Sequence, residues 1–158
     1  MERLLKLIEN DCRLTNEQLA VMLGKEKGEI ADMIKAYEKD GVIVGYKALV
    51  DWDKTDREST TALIELKVTP QRDCGFDKVA ERICKYPEVQ NLYLISGGFD
   101  LAIVIEGRTL REVALFVAEK LSTIDDVIST STHFVLRKYK EKGVVYGKPR
   151  EDMRGNEF

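Results

Sequence analysis

Two copies of one pattern meet at Ser96-Gly97-Gly98-Phe99-Asp100, and they constrain the fold more than any other feature. Each copy is a strand-like apolar run, an amphipathic helix and a second strand-like run. Thr61 to Thr69 alternates, with Ala62, Ile64, Leu66 and Val68 on one side and Leu63, Glu65 and Lys67 on the other. Pro70 ends that run. Phe76, Val79, Ala80, Ile83 and Cys84 then fall at i, i+3, i+4, i+7 and i+8, a helix stripe that stops before Pro87. Val89 to Ile95 is a second strand, and Leu101 to Ile105, beyond the glycines, is a third. Leu110, Val113, Ala114, Val117 and Leu121 repeat the stripe, and Val127 to Leu136 is the fourth strand. The order β-α-β-β-α-β predicts a ferredoxin-like domain over residues 60–142, a four-stranded antiparallel sheet with both helices on one face. Right-handed crossovers put the strands from Thr61 and Leu101 in the centre.

That topology leaves one sheet face bare. Leu63, Tyr93, Leu101, Ile103 and Ile105 are expected there, too apolar for open water, so a second subunit packing face to face is expected to cover them. The paired glycines predict a tight reversal at positive φ, with Asp100 at its exit either as a capping group or as part of a ligand-holding loop.

The N-terminal region has a different grammar. Leu4, Leu5, Leu7 and Ile8 make one amphipathic helix, ended by Asn10-Asp11. Thr15-Asn16-Glu17-Gln18 reads as a capping box opening a second helix, with Leu19, Ala20 and Leu23 inward. Gly24 breaks it, and a third helix runs from about Lys27 to Lys39 with Ile30, Ile34 and Tyr37 as its buried stripe, stopped by Gly41. Three short helices with a glycine turn before the third make a helix-turn-helix, whose third helix leads into the DNA major groove; a plain tri-helical bundle is the alternative. Val42 to Trp52 reads as extended, and the polar stretch 51–59 as a linker, with Trp52 packing on a neighbouring surface.

These elements resemble the Lrp/AsnC (feast/famine) family of transcription regulators. The resemblance is carried by Leu4-Leu5-Lys6-Leu7, Arg13-Leu14-Thr15-Asn16-Glu17-Gln18-Leu19-Ala20, Ile34-Lys35-Ala36-Tyr37-Glu38, the stretch DGVIVGYKALVD, and Ser96-Gly97-Gly98-Phe99-Asp100-Leu101, and it spans residues 2–142. It implies an α+β chain with an N-terminal helix-turn-helix (winged-helix-like) domain and linker strand over residues 1–50, and a ferredoxin-like effector-binding and oligomerisation domain over 60–142. It also implies that DGVIVGYKALVD is a strand pairing with its counterpart in a dimer. The implied partners are double-stranded DNA, a small-molecule amino-acid effector, and further copies of the chain, as a homodimer assembling commonly into an octamer. The DNA-binding candidates are Thr15, Asn16, Lys25, Lys27, Gly28, Glu29, Asp32 and Lys35. The effector candidates are Ser96, Gly97, Gly98, Phe99 and Asp100 in the loop, with Thr130, Ser131 and Thr132 on the last strand. Backbone N–H groups around the glycines suit an α-carboxylate, and Asp100 an α-ammonium.

Charge cuts across that implication. Where family members usually carry Ser, Thr and Arg on the outer face of the third helix, this chain has Gly28, Glu29, Ala31, Asp32 and Met33. From Lys25 to Asp40 there are 4 bases and 5 acids, and residues 1–58 hold 10 Lys+Arg against 13 Asp+Glu. Phosphate neutralisation supplies most non-specific DNA affinity, so weak, salt-sensitive binding that relies on several subunits is expected. An amino-acid-binding oligomeric scaffold that no longer binds DNA is the alternative.

Other classes are excluded or unsupported. With 3 Cys and 1 His among 158 residues, metal ligands are few and no cofactor is implied. Cys84 is expected in the core and His133 on the solvent side of its strand. No Ser/His/Asp or Cys/His set argues for an enzyme. Leu101-Ala102-Ile103-Val104-Ile105 lacks the aromatics of an RNA-recognition module. No apolar run reaches the roughly 20 residues of a membrane span, and Met1-Glu2-Arg3-Leu4-Leu5-Lys6 does not open a signal peptide, so a cytoplasmic protein is expected. Residues 137–158 hold 7 Lys+Arg against 4 Asp+Glu, and 143–158 read as a flexible tail in which Val144-Val145-Tyr146 adds a short strand.

Overall fold

In the computed structural model, which describes residues 2–70, 72 and 75–147, the chain divides into two compact units, Met1–Val50 and the part from Asp51 onward. The charged residues of the tail beyond 147, like Cys74, lie outside the described residues.

The first unit is built from α1 (Glu2–Asn10), α2 (Asn16–Leu23) and α3 (Lys27–Lys39). The capping box forms as the sequence predicts. The Gln18 N–H donates to the Thr15 hydroxyl at 3.2 Å, and the Thr15 N–H donates to the Gln18 side-chain carbonyl at 2.8 Å. Gly24 caps α2 with φ 64°, a conformation that costs a residue with a Cβ. After α3 the chain closes a Schellman turn. Gly41 at φ 69° donates to the Glu38 carbonyl, and the Val42 N–H reaches back to the Tyr37 carbonyl at 2.9 Å. Leu4, Leu19, Ala20 and Ile30 form the buried core, with Leu7, Ile8, Leu14, Leu23, Met33, Ile34 and Tyr37 packed around it. Residues 44–50 join neither helix nor strand, and Val42, Val44, Tyr46, Leu49 and Val50 are exposed.

The second unit is a four-stranded antiparallel sheet in the order β2-β3-β1-β4, with β1 (Thr60–Val68), β2 (Val89–Leu94), β3 (Leu101–Gly107) and β4 (Val127–Phe134). The strands from Thr60 and Leu101 are central, as right-handed crossovers require. One face is covered by α4 (Asp77–Cys84) and by α5 (Leu110–Phe116), which runs into a π-helical turn over Val117–Leu121. A two-residue hairpin of β5 (Lys140–Glu141) and β6 (Val144–Val145) follows, where a short strand is expected at Val144. Trp52 opens a single 3₁₀ turn, and the Arg57 guanidinium sits 4.4 Å from its ring centroid.

Register corrects the expected bare face. Ala62 pairs with Ile105, Ile64 with Ile103 and Leu66 with Leu101, so all six point to the helix side and are buried. The open face carries Leu63, Glu65 and Lys67 from β1, Ala102 and Val104 from β3, Asn91 and Tyr93 from β2, and Ser131 and His133 from β4. It is therefore more polar than Leu101, Ile103 and Ile105 had suggested.

Two helix stripes are corrected as well. Cys84, expected in the core, is exposed, because α4 ends there and only Val79 and Ile83 are buried. In the other helix the inward face centres on Val113, Phe116 and Val117, at i, i+3 and i+4, so Leu110 and Ala114 are exposed while Phe116 joins Val113, Val117 and Leu121 in the core.

Candidate functional site

The loop between β2 and β3 opens where Leu94 faces Leu101 and closes with the Ile95 N–H donating to the Asp100 carbonyl at 2.8 Å. Neither Gly97 nor Gly98 adopts positive φ, so the expected tight glycine reversal is replaced by a wider loop over Ile95–Asp100. Both positions are open: a Cβ on Gly98 meets nothing within 4 Å, and one on Gly97 meets only the Ile95 side chain at 3.7 Å. Ser96, Gly97 and Gly98 are exposed, and Phe99 and Asp100 half-buried.

Asp100 anchors that loop to the middle of the sheet. One carboxylate oxygen accepts from the Val68 N–H at 2.8 Å, and the Asp100 N–H donates to the Leu66 carbonyl at 2.9 Å. These bonds extend the β1–β3 ladder past the last strand pair, Leu66–Leu101, and take up backbone groups at the end of β1. The capping role foreseen for Asp100 is thus present in the geometry.

The effector candidates on β4 split between faces. Thr130 pairs with Leu66 and Thr132 with Ile64, on the helix side, whereas Ser131 pairs with Glu65 on the open side. Thr130 lies across Leu66 from Leu101, at the loop's end of the sheet; Thr132 is two residues farther away.

The open face also gathers a trio that spacing along the chain does not reveal. His133 Nε2 is 3.3 Å from the Ser131 hydroxyl and 3.5 Å from a Glu65 oxygen. Both contacts converge on one ring nitrogen, so the carboxylate cannot orient the imidazole from the far side as a nucleophilic relay requires.

At the far end of β3 is a cavity of about 200 Å³ lined by Glu88, Ile105, Glu106, Glu112, Phe116 and Lys120, among others. Lys120 Nζ is 2.7 Å from Glu88 and 5.3 Å from the ring centroids of both Tyr86 and Phe116, which meet edge to face at 5.5 Å. Burial pushes the Glu88 carboxyl up, but the Lys120 and backbone hydrogen bonds outweigh it and hold the group below its ordinary value. Among the described residues, no group of three or more His, Cys, Asp or Glu is placed to hold a metal ion. Likewise, no helix there is long and apolar enough to cross a membrane.

The DNA-binding candidates lie on α2, the turn after it and the outer side of α3. Gly28, Glu29, Asp32 and Lys35 are exposed along α3, with Asn16 half-buried at the start of α2. The Thr15 hydroxyl is engaged as the cap of α2. Lys25 pairs with Glu29, and Lys27 with Glu17 of α2. The Lys27 hydrogen bond holds the Glu17 carboxyl below its ordinary value.

Residues 2–44 match the winged helix-turn-helix DNA-binding model, and residues 61–145 match the Lrp/AsnC ligand binding domain. An uncharacterised HTH-type transcriptional regulator, YugG of Bacillus subtilis, is 45% identical over 152 residues, covering 96% of this chain and 92% of that protein. A proline dehydrogenase transcriptional activator of Rhizobium radiobacter is 25% identical over 142 residues, covering 90% of each. The crystal structure of the regulator NMB0573 of Neisseria meningitidis, in complex with L-Met, matches the fold with a TM-score of 0.72 at 22% identity. It covers 87% of this chain and 88% of that one.

Proposed function

Because the chain belongs to the Lrp/AsnC family of DNA-binding transcription regulators, we propose that it works in the cytoplasm as a homo-oligomer whose hold on double-stranded DNA responds to a free amino acid. The observation that carries the reading is the loop Ser96–Asp100, exposed at its glycines and tied by Asp100 to the central strand of a sheet in the ligand-binding region. An amino acid presents a carboxylate and an ammonium a few ångströms apart. The carboxylate suits backbone N–H groups left accessible by Gly97 and Gly98, and the ammonium suits an acidic side chain. L-Met in NMB0573 supplies the ligand class. Thr130, at the same end of the sheet, is the β4 residue we favour as the loop's partner; Thr132 shares its face but lies two residues farther from the loop, and Ser131 is on the opposite face.

Assembly follows from the open sheet face and from the exposed apolar stretch Val42–Val50, both of which a second copy can cover, with an octamer as the further step. On the DNA side the elements are α2 and α3, with Gly28, Asp32 and Lys35 exposed along α3 and Asn16 half-buried at the start of α2.

The test is a thermal-shift screen of the twenty amino acids, followed by DNA binding with each hit. Gly98→Ala is the diagnostic variant, since its Cβ meets no atom and its φ is not positive. It is expected to fold as the parent does and to lose the amino-acid response. A chain that no amino acid stabilises, or a Gly98→Ala variant that responds unchanged, overturns the effector assignment.

A further inference from the structure

We propose that Glu17 and Glu29 set how strongly the helix-turn-helix holds DNA, by occupying Lys27 and Lys25 in ion pairs that phosphates must displace. The proposal rests on the DNA-binding reading and deepens it.

The segment Lys25–Asp40 holds four lysines. Lys25 is paired with Glu29 one turn on, and Lys27, the first residue of α3, with Glu17 in the first turn of α2. Lys35 and Lys39 make no ion pair among the described residues. Half of this segment's cations are thus committed to carboxylates before any phosphate arrives. Both pairs are exposed, and exposed pairs are weak and exchange readily, so they attenuate binding rather than prevent it. Glu17 links α2 to α3, so that exchange also releases a tie between the two helices.

Glu26 and Asp40 make the inference testable. Both are exposed acids of the same region without an ion pair among the described residues. Neutralising any of the four acids changes net charge equally, but only Glu17→Gln and Glu29→Gln free a lysine. Each lysine that becomes a phosphate contact steepens the slope of log K against log[salt] by about 0.9, an extra loss of about 3.5-fold in affinity between 50 and 200 mM salt.

The experiment uses the full chain and a short mixed-sequence duplex, with fluorescence anisotropy across that salt range. Glu17→Gln and Glu29→Gln are expected to bind tighter at low salt and to show the steeper slope, while Glu26→Gln and Asp40→Asn keep the parent slope. Equal slopes in all four variants and the parent overturn the ion-pair assignment while leaving DNA binding intact, because bulk charge then accounts for every change. If no protein, parent included, binds at the lowest salt, the DNA-binding reading falls and this proposal with it.

Discussion

Replacing Asp100 separates an anchor from a ligand contact. Its carboxylate accepts from the half-buried Val68 N–H at 2.8 Å, and a hydrogen bond to a charged group contributes about 1.5–3 kcal/mol. Asp100→Ala removes the acceptor and strands that N–H at the end of β1, for an expected loss of about 2 kcal/mol. At about 4–8 °C per kcal/mol for a domain of this size, the melting temperature of the sheet unit falls by roughly 8–16 °C. Asp100→Asn keeps an acceptor oxygen in place and gives up only the charge, so about 1 kcal/mol and half that shift are expected. Differential scanning calorimetry reads both, and amino-acid titration of the Asn variant reads the second role. An Asp100→Ala protein that melts within about 2 °C of the parent refutes the anchor. An Asn variant that retains the anchor and still binds an amino acid unchanged refutes pairing of the carboxylate with the ammonium.

Three further outcomes are expected. Ile30→Ala leaves a void in a core of only four buried residues, at a cost of about 2–5 kcal/mol, so circular dichroism should show loss of cooperative helix melting with the sheet unit's transition unmoved. Lys120→Met keeps the contacts with Tyr86 and Phe116 but strips Glu88 of its partner; urea unfolding near neutral pH should lose about 1 kcal/mol. Because Glu88 is held below its ordinary value when folded, that contribution is present above about pH 4.3 and lost as pH falls through the lower folded value, so parent and variant converge in acid. The Tyr146 hydroxyl donates to Glu141 at 2.7 Å, and this bond, with burial, pushes its pKa up to about 12. A raised folded value means stability that is intact below the unfolded value of about 10 and lost as pH rises from there through about 12. Absorbance titration at alkaline pH should show a late-ionising phenolate that Tyr146→Phe removes.

Local periodicity made the element order legible. Thr61–Thr69 alternates cleanly and the capping box names its own helix, so the strand order and the start of α2 follow from neighbours in sequence. Leu101-Ala102-Ile103-Val104-Ile105 is apolar at every position, so a period of two cannot say which side is inward; only the pairing of Leu101 with Leu66 decides it. Leu110, Val113, Ala114 and Val117 fit one helical stripe and Val113, Phe116 and Val117 fit another, so spacing alone does not choose between them. At the loop, two glycines predicted positive φ, but nothing local reveals that Asp100 reaches β1 and makes that conformation unnecessary. Ser131 and His133 share a face by strand alternation, but only the β1–β4 register brings Glu65 to them, and that register has no local signature.

The charge of the first unit shapes how such a regulator can be controlled. With Lys25 and Lys27 engaged, Lys35 and Lys39 are the cations of α3 left for phosphates. Two phosphate contacts per unit correspond to about a tenfold loss of affinity between 50 and 200 mM salt, and two linked units to about 150-fold. A recognition helix with so small an electrostatic term holds DNA poorly alone and gains most from linkage, since joining two weak sites makes the second encounter intramolecular. In the proposed oligomer, occupancy is then governed by which assembly presents its units at the spacing of the half-sites. On the proposed reading, an amino acid bound beside Ser96–Asp100 would control DNA only to the extent that it favours one assembly over another, and by no more than that difference in affinity.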